Sequence, residues 1–296
     1  MLTIGIIAGL IAMLCWGIAD FLQAIIIKRV GSSKTMVMSN VLSVILTLPL
    51  FILFVSKGHL LIDLTSIFLI IGACVIDVIA VIAFMKSFEI GEICIVTPIS
   101  ASYSFISVIL AILFLGERLP GAKLIAIVVI IAGIFLTSTD MKKFRLKAEK
   151  GVVESIVAMI GWGVFFFIIG LAMRQLHSAF PGAGLWDIPG TIFFFTTLIN
   201  GTLLASYGFI MKGIPGKKEI RQNILFLVVN FFLYSLAWIS VNYGIAQELI
   251  SIVTPVSSLY PALTVILAVI FFKEKTAPSQ RIGIFLTLFG IFLISL

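Results

Sequence analysis

Charge is what this sequence has least of. Asp, Glu, Lys and Arg make up 11% of its 296 residues, against about 25% in soluble domains. That shortage excludes an ordinary soluble enzyme, a disordered chain and a nucleic-acid module. Cysteine is nearly absent as well. Cys15, Cys74 and Cys94 each lie in an apolar run, without a CxxC or a nearby His, so they read as packed thiols and not as a disulfide or metal set. His59 and His177 stand in loops and carry no ligand pattern. HExxH, GxSxG, a His cluster and an acid-rich loop for a divalent metal are all missing, so the chain does not read as an enzyme. The GxxxxGK(S/T) phosphate loop is missing too, and no extramembrane stretch is long enough for a nucleotide domain, which excludes an ATP-driven pump. No cofactor is expected. The start, Met1-Leu2-Thr3-Ile4, lacks the basic segment of a cleaved signal peptide, so the first apolar run is expected to stay as a helix.

What is there is apolar. Residues of the set AVILMFWYC form 61% of the chain, and the mean hydropathy is +1.26. This composition predicts an all-α integral membrane protein. A helix needs about 20 apolar residues to cross a hydrocarbon core about 30 Å thick. Ten such runs can be drawn: 4–27, 36–55, 66–86, 93–115, 121–138, 152–174, 188–211, 223–246, 249–272 and 279–296. Short breakers such as Gly31-Ser32-Ser33-Lys34 and Pro215-Gly216-Lys217-Lys218 separate them. Function must then live inside the bundle.

The chain also repeats itself. Shifted by 157 residues, segment 93–138 lies on 250–295 without a gap, identical at 20 of 46 positions. Ile95-Val96-Thr97-Pro98 falls on Ile252-Val253-Thr254-Pro255, Tyr103 on Tyr260, Glu117 on Glu274 and Gly133 on Gly290. A shift of 146 puts Trp16-Gly17 on Trp162-Gly163. The units are 1–138 and 152–296, joined by a basic linker, 139–151. Each holds five runs. Five is odd, so the second unit enters the membrane from the other side and the repeats are inverted.

Trp-Gly in the first run of each half, Thr-Pro in the fourth and Gly116-Glu117-Arg118 just after it resemble the EamA-like branch of the drug/metabolite transporter superfamily. The second half departs from the last motif, reading Phe272-Lys273-Glu274-Lys275. The resemblance covers the whole chain. It implies ten helices, with the fifth and tenth peripheral, and export or import of amino acids, other small metabolites or drugs without ATP, export being the commoner direction. The expected partners are a small-molecule solute and membrane lipid, with no nucleic acid, in a monomer or homodimer. A channel or receptor-like bundle without active transport is the alternative, against which the inverted repeat argues.

Two acids stand within the runs. Asp77 is near the middle of the third and Asp20 lies in the first, about five residues past its centre. An Asp at a helix centre costs roughly 2.5–3.5 kcal/mol on insertion scales, so both should face the interior or a wet cavity. Each reads either as a proton, cation or amine site or as a neutral acid bonded to a neighbouring Ser or Thr. The 157-residue shift puts Asp77 on Tyr234, which belongs to a stripe spaced by four: Asn230, Tyr234, Trp238, Asn242. One helix face carries all four, either as a cavity wall or as interhelical glue with interfacial aromatics. Pro98 and Pro255, beside Thr97 and Thr254, are expected to kink the fourth and ninth helices, as a pair of gates or as static bends. Glu117 and Glu274 read mainly as loop ion pairs or caps, and Gly133 and Gly290 as points of close helix approach.

The 20 Lys and Arg sort unevenly. Sixteen follow the odd-numbered runs and four follow the even-numbered ones. Basic residues near short loops favour the cytoplasm. The charge bias therefore places the linker inside a cell membrane and both termini outside, whereas the family resemblance suggests termini inside.

Overall fold

The computed structural model describes residues 4–115, 150–247, 250–274 and 277–294, together with Gly121, Ile125, Ala126, Val128, Val129, Ala132, Gly133 and Leu136. Among them the regular structure is helical throughout. The helices are α1 (Ile4–Val30), α2 (Ser32–Ser56), α3 (Leu64–Ile90), α4 (Ile93–Ala101), α5 (Tyr103–Leu115), α6 (Val152–Ala179), α7 (Asp187–Ile210), α8 (Lys217–Gln247), α9 (Ile250–Ser257), α10 (Pro261–Phe272) and α11 (Pro278–Ile294). The linker, Glu117 and most of the fifth run fall outside the described residues.

Seven described segments are long and apolar enough to cross a membrane: α1, α2, α3, Ile93–Phe114 across α4 and α5, α6, α7 and α8. The remaining three of the ten expected spans are the fifth run, mostly outside the described residues, and the ninth and tenth runs, whose described helices are shorter. The ninth run divides into α9 and the 12-residue α10, which at 1.5 Å per residue reaches only about 18 Å. The expected kinks are instead breaks, displaced beyond the prolines. In the first half, helix ends at Ala101 and resumes at Tyr103. Ser102 N–H donates to Ile99 O at 3.1 Å, and its hydroxyl donates to Pro98 O at 2.8 Å. In the second half the chain turns at Ser258-Leu259-Tyr260, with Leu259 N–H donating to Val256 O at 3.3 Å. A proline loosens the turn it enters, and short-range bonds and hydroxyls satisfy the freed carbonyls.

Two ends of the bundle can be distinguished. The basic end carries residues 28–34, 90–93 and 211–217, and the opposite end carries 57–63 and 180–187. At the opposite end Asp63 caps α3, accepting the Ser66 N–H at 2.9 Å, and this bond holds its carboxyl below the usual carboxylate range. At the basic end Lys28 Nζ donates to Gly91 O at 2.9 Å and Lys34 pairs with Glu219 at 2.6 Å. Large apolar side chains, among them Ile45, Ile52, Phe68, Ile79, Leu225, Phe232 and Phe285, point outward. A belt of that kind suits lipid and not water.

The repeat is visible as paired contacts. Counterpart helices α2 and α7 run antiparallel: Ser33 meets Gly213, Val37 meets Gly208, Val44 meets Gly201 and Phe54 meets Gly190. The two halves are thus inverted. α1 packs mainly on α8, and α3 mainly on α6, so each half clasps the other. At Gly17 a Cβ would stand 2.9 Å from Leu263 Cβ and 3.0 Å from the Tyr260 carbonyl. At its counterpart, Gly163, a Cβ would stand 2.5 Å from Ile106 Cβ and 3.0 Å from the Tyr103 carbonyl. These glycines let the helix starting each half lie against the broken helix of the other. Gly133 likewise lies against Thr287 of α11, where a Cβ would meet the backbone nitrogen at 2.5 Å, and Gly290 is buried.

Candidate functional site

A cavity of about 180 Å³ lies between the halves. That volume has room for on the order of ten waters. The first four runs and runs six to nine all contribute to its wall, whereas no described residue of the fifth run or of α11 does. Its lining reaches from mid-depth toward the basic end, through Gln23 of α1, Ser39 of α2, Met85 of α3, Leu204 of α7 and Leu227 of α8. Toward the opposite end, Ile70, Ala73, Cys74, Met173, Leu176, Ile188, Ile192 and Ile245 form close-packed core. Cys15, Cys74 and Cys94 are all buried free thiols.

The cavity stops at a layer of aromatic rings. Phe166 stacks between Tyr103 (centroids 4.9 Å apart, planes at 16°) and Trp238 (5.7 Å, 21°). Trp16 meets Trp238 edge-on at 5.4 Å. The repeat reappears here: Trp16 meets Tyr260 at 6.1 Å and 71°, and Trp162 meets Tyr103 at 6.0 Å and 78°. Both halves therefore build the layer. Beneath it the Tyr103 and Ser257 hydroxyls approach to 3.5 Å, and Ser107 and Thr254 to 3.3 Å, joining the two broken helices.

Among the described residues, the only charged groups in the cavity wall are Asp20 and Asp77. Both are buried, each 3% exposed. Asp77 stands at the centre of α3 and ties three helices together. Its Oδ1 accepts the Trp162 indole N–H from α6 at 2.9 Å, and its Oδ2 accepts the Asn200 amide from α7 at 2.7 Å. Asp20 of α1 accepts the phenol of Tyr234 from α8 at Oδ1. Asn230, one turn away from Tyr234, donates to the Ala19 carbonyl at 2.7 Å. Each acid thus holds a bond from one half of the molecule to the other.

The sequence candidates separate in space. Asn230, Tyr234 and Trp238 line the cavity, but Asn242 does not. It is fully buried, and its amide nitrogen and oxygen find no partner among the described residues. Thr97, Thr254 and Pro98 are buried outside the cavity wall. Thr97 bonds back to Ile93 O at 2.7 Å. Pro255 lies in the backbone of α9. Of the two roles read for it, ion pair or cap, Glu274 takes that of a cap among the described residues. Its two carboxylate oxygens accept the Ile93 and Cys94 N–H groups at 3.0 and 2.9 Å, capping α4 of the other half. An acid at a helix N-terminus satisfies orphan donors and meets the positive end of the dipole. Sequence reasoning missed Gln23 and Asn200 as wall residues and Trp162 as a partner of Asp77. Polar side chains inside apolar runs were the available signal.

No group of three or more His, Cys, Asp or Glu that could hold a metal occurs among the described residues. The chemistry on offer is hydrogen bonding, π faces and two carboxyl groups.

Comparison with known proteins agrees with this architecture. A solved crystal structure of another protein superposes with a TM-score of 0.63, covering 98% of this chain and 95% of that one at 14% identity, which speaks for the fold alone. The uncharacterized protein MJ1333.1 of Methanocaldococcus jannaschii is 37% identical over 76 residues, 25% of this chain. This chain spans only 56% of the length of that relative. The model of the EamA-like transporter family matches twice, over residues 3–139 and 149–296. With both inverted halves matched, the chain belongs to the EamA-like transporter family of multi-pass membrane transporters.

Proposed function

We propose that this protein is a secondary carrier that exports a small organic solute across the cell membrane in exchange for protons. The observation that carries the reading is the one-sided cavity. It lies between mid-depth and the basic end, and it ends at an aromatic layer contributed by both halves. A carrier needs such a barrier on one side of its site at a time, whereas a channel needs a continuous path. The basic residues favour the cytoplasm at that end, which puts the cavity on the cytoplasmic side of the aromatic layer in this reading. The direction of transport follows the family resemblance.

Asp77 is the proposed coupling group. As a carboxylate it accepts one donor from α6 and one from α7. A proton on either oxygen removes an acceptor site and weakens the tie between α3 and the second half. Solute and proton would then compete through one set of interhelical bonds. Tyr234 and Trp238, with Asn230, supply donors and π faces for the solute.

Uptake into proteoliposomes under an imposed pH gradient tests this reading. The solute is chosen by thermal-shift screening of amino acids, amines and nucleosides. Transport should follow the gradient in the native protein and lose its pH response in Asp77→Asn. An unchanged response in that variant removes Asp77 from the mechanism.

A further inference from the structure

Asp77 and Asp20 are not equivalent. Both oxygens of Asp77 already have protein donors. Asp20 has one, the Tyr234 phenol at Oδ1, and its Oδ2 has no partner among the described residues. Gln23 lies three residues along α1, on the same face. It is 4% exposed, lines the cavity, and its Oε1 has no partner among the described residues. A buried acceptor is costly while unpaired, so this oxygen awaits a donor. Trp16, one turn before Asp20, and Trp238 on the facing helix add π faces to the same wall, and no Lys or Arg lines it among the described residues.

On this face of α1, two open acceptors, one of them on an acid, lie beside indole faces and without a neighbouring base among the described wall residues, and they select a ligand that is positive and donates hydrogen bonds; the other open acceptor of the wall, Asn200 Oδ1, belongs to α7. We propose that Asp20 and Gln23 form an ammonium-binding subsite, so that the solute is a small cationic amine. An ammonium group can give one N–H to Asp20 Oδ2 and another to Gln23 Oε1 while its charge meets the indole faces. A carboxylate solute meets two acids and no base. A neutral alcohol pairs with one acceptor and leaves the other empty. This subsite deepens the carrier reading and rests on it for its transport role.

Tryptophan fluorescence of the purified full-length protein reads binding without requiring transport, since Trp16, Trp162 and Trp238 all line the cavity. The probes are 2-phenylethylammonium, 2-phenylethanol and 3-phenylpropanoate, which share a ring and differ in the polar group. The ammonium should bind saturably, the alcohol about tenfold more weakly, and the carboxylate without saturation. Asp20→Asn should weaken ammonium binding by about tenfold or more, and by more than Asp77→Asn does, while Asp20→Glu retains it. Gln23→Leu, which keeps the acid, should weaken it to a lesser degree. Equal binding of alcohol and ammonium, an unchanged affinity in Asp20→Asn, or saturation by none of the probes overturns the subsite. An amine that binds but shows no counterflow sinks the carrier reading and leaves the subsite. Counterflow of a neutral or anionic solute without amine binding does the reverse.

Discussion

The Trp162 indole donates to Asp77 Oδ1 at 2.9 Å, joining the first helix of the second half to the middle helix of the first. Its repeat counterpart, Trp16, has no such acid opposite it, because Asp77 is replaced in the second half by Tyr234. That tyrosine bonds to Asp20, whose own counterpart is Phe166. The backbone is thus pseudo-symmetric while the polar chemistry is not.

Removing the indole donor tests how much that link contributes. Trp162→Phe keeps the ring against Phe84 and Tyr103 and should lower stability in detergent by about 1.5–3 kcal/mol, the usual range for a hydrogen bond to a charged group. Thermal unfolding followed by circular dichroism checks it. A change below about 0.5 kcal/mol would mean that the bond is made no better than its water-bound alternative.

Gly163 should not tolerate a side chain. A Cβ would stand 2.5 Å from Ile106 Cβ and 3.0 Å from a backbone carbonyl, which cannot move without α5. Gly163→Val should cost about 1–3 kcal/mol by overpacking. Gly72→Val, where nothing lies within 4 Å, is the control and should be nearly silent. Monodisperse yield after solubilisation separates the two.

Glu274→Gln tests the cap on α4. The amide can still accept one backbone N–H but presents no charge to the helix end. Loss of the cap should cost about 0.5–2 kcal/mol. Hydrogen exchange at Cys94 reports it: exchange should rise there and stay unchanged at the α7 start near Asp187.

The basic end should lie in the cytoplasm. In a background without Cys15, Cys74 and Cys94, a single cysteine at exposed Lys218 should resist an impermeant maleimide in intact cells and react in inverted vesicles. Ready labelling in intact cells would place both termini inside, against the charge bias.

Much of this architecture was legible before any coordinates. The 157-residue shift exposed the repeat, odd parity made it inverted, and the antiparallel α2–α7 pairing shows it. Proline positions located the interruptions to within a turn. They did not show that helix restarts at Tyr103 and Pro261, because the break depends on hydroxyls and on packing against Gly163 and Gly17 from the other half. The spacing-by-four rule grouped Asn242 with Asn230, but a helix of 31 residues carries one face from the basic end past the aromatic layer into packed core. Pattern alone cannot mark where along a stripe the cavity ends. Nor could it pair Asp77 with Asn200, since the partners of a buried acid are set by which helices cross at its depth.

Counterflow in proteoliposomes is the most direct test of the carrier account. Vesicles preloaded with the unlabelled solute that gives the largest thermal shift are diluted into a trace of labelled solute. The account predicts a transient overshoot of label that saturates with outside solute and collapses when Trp238→Ala opens the aromatic layer. Label that equilibrates without overshoot, at a rate linear in concentration and unchanged in that variant, would contradict it.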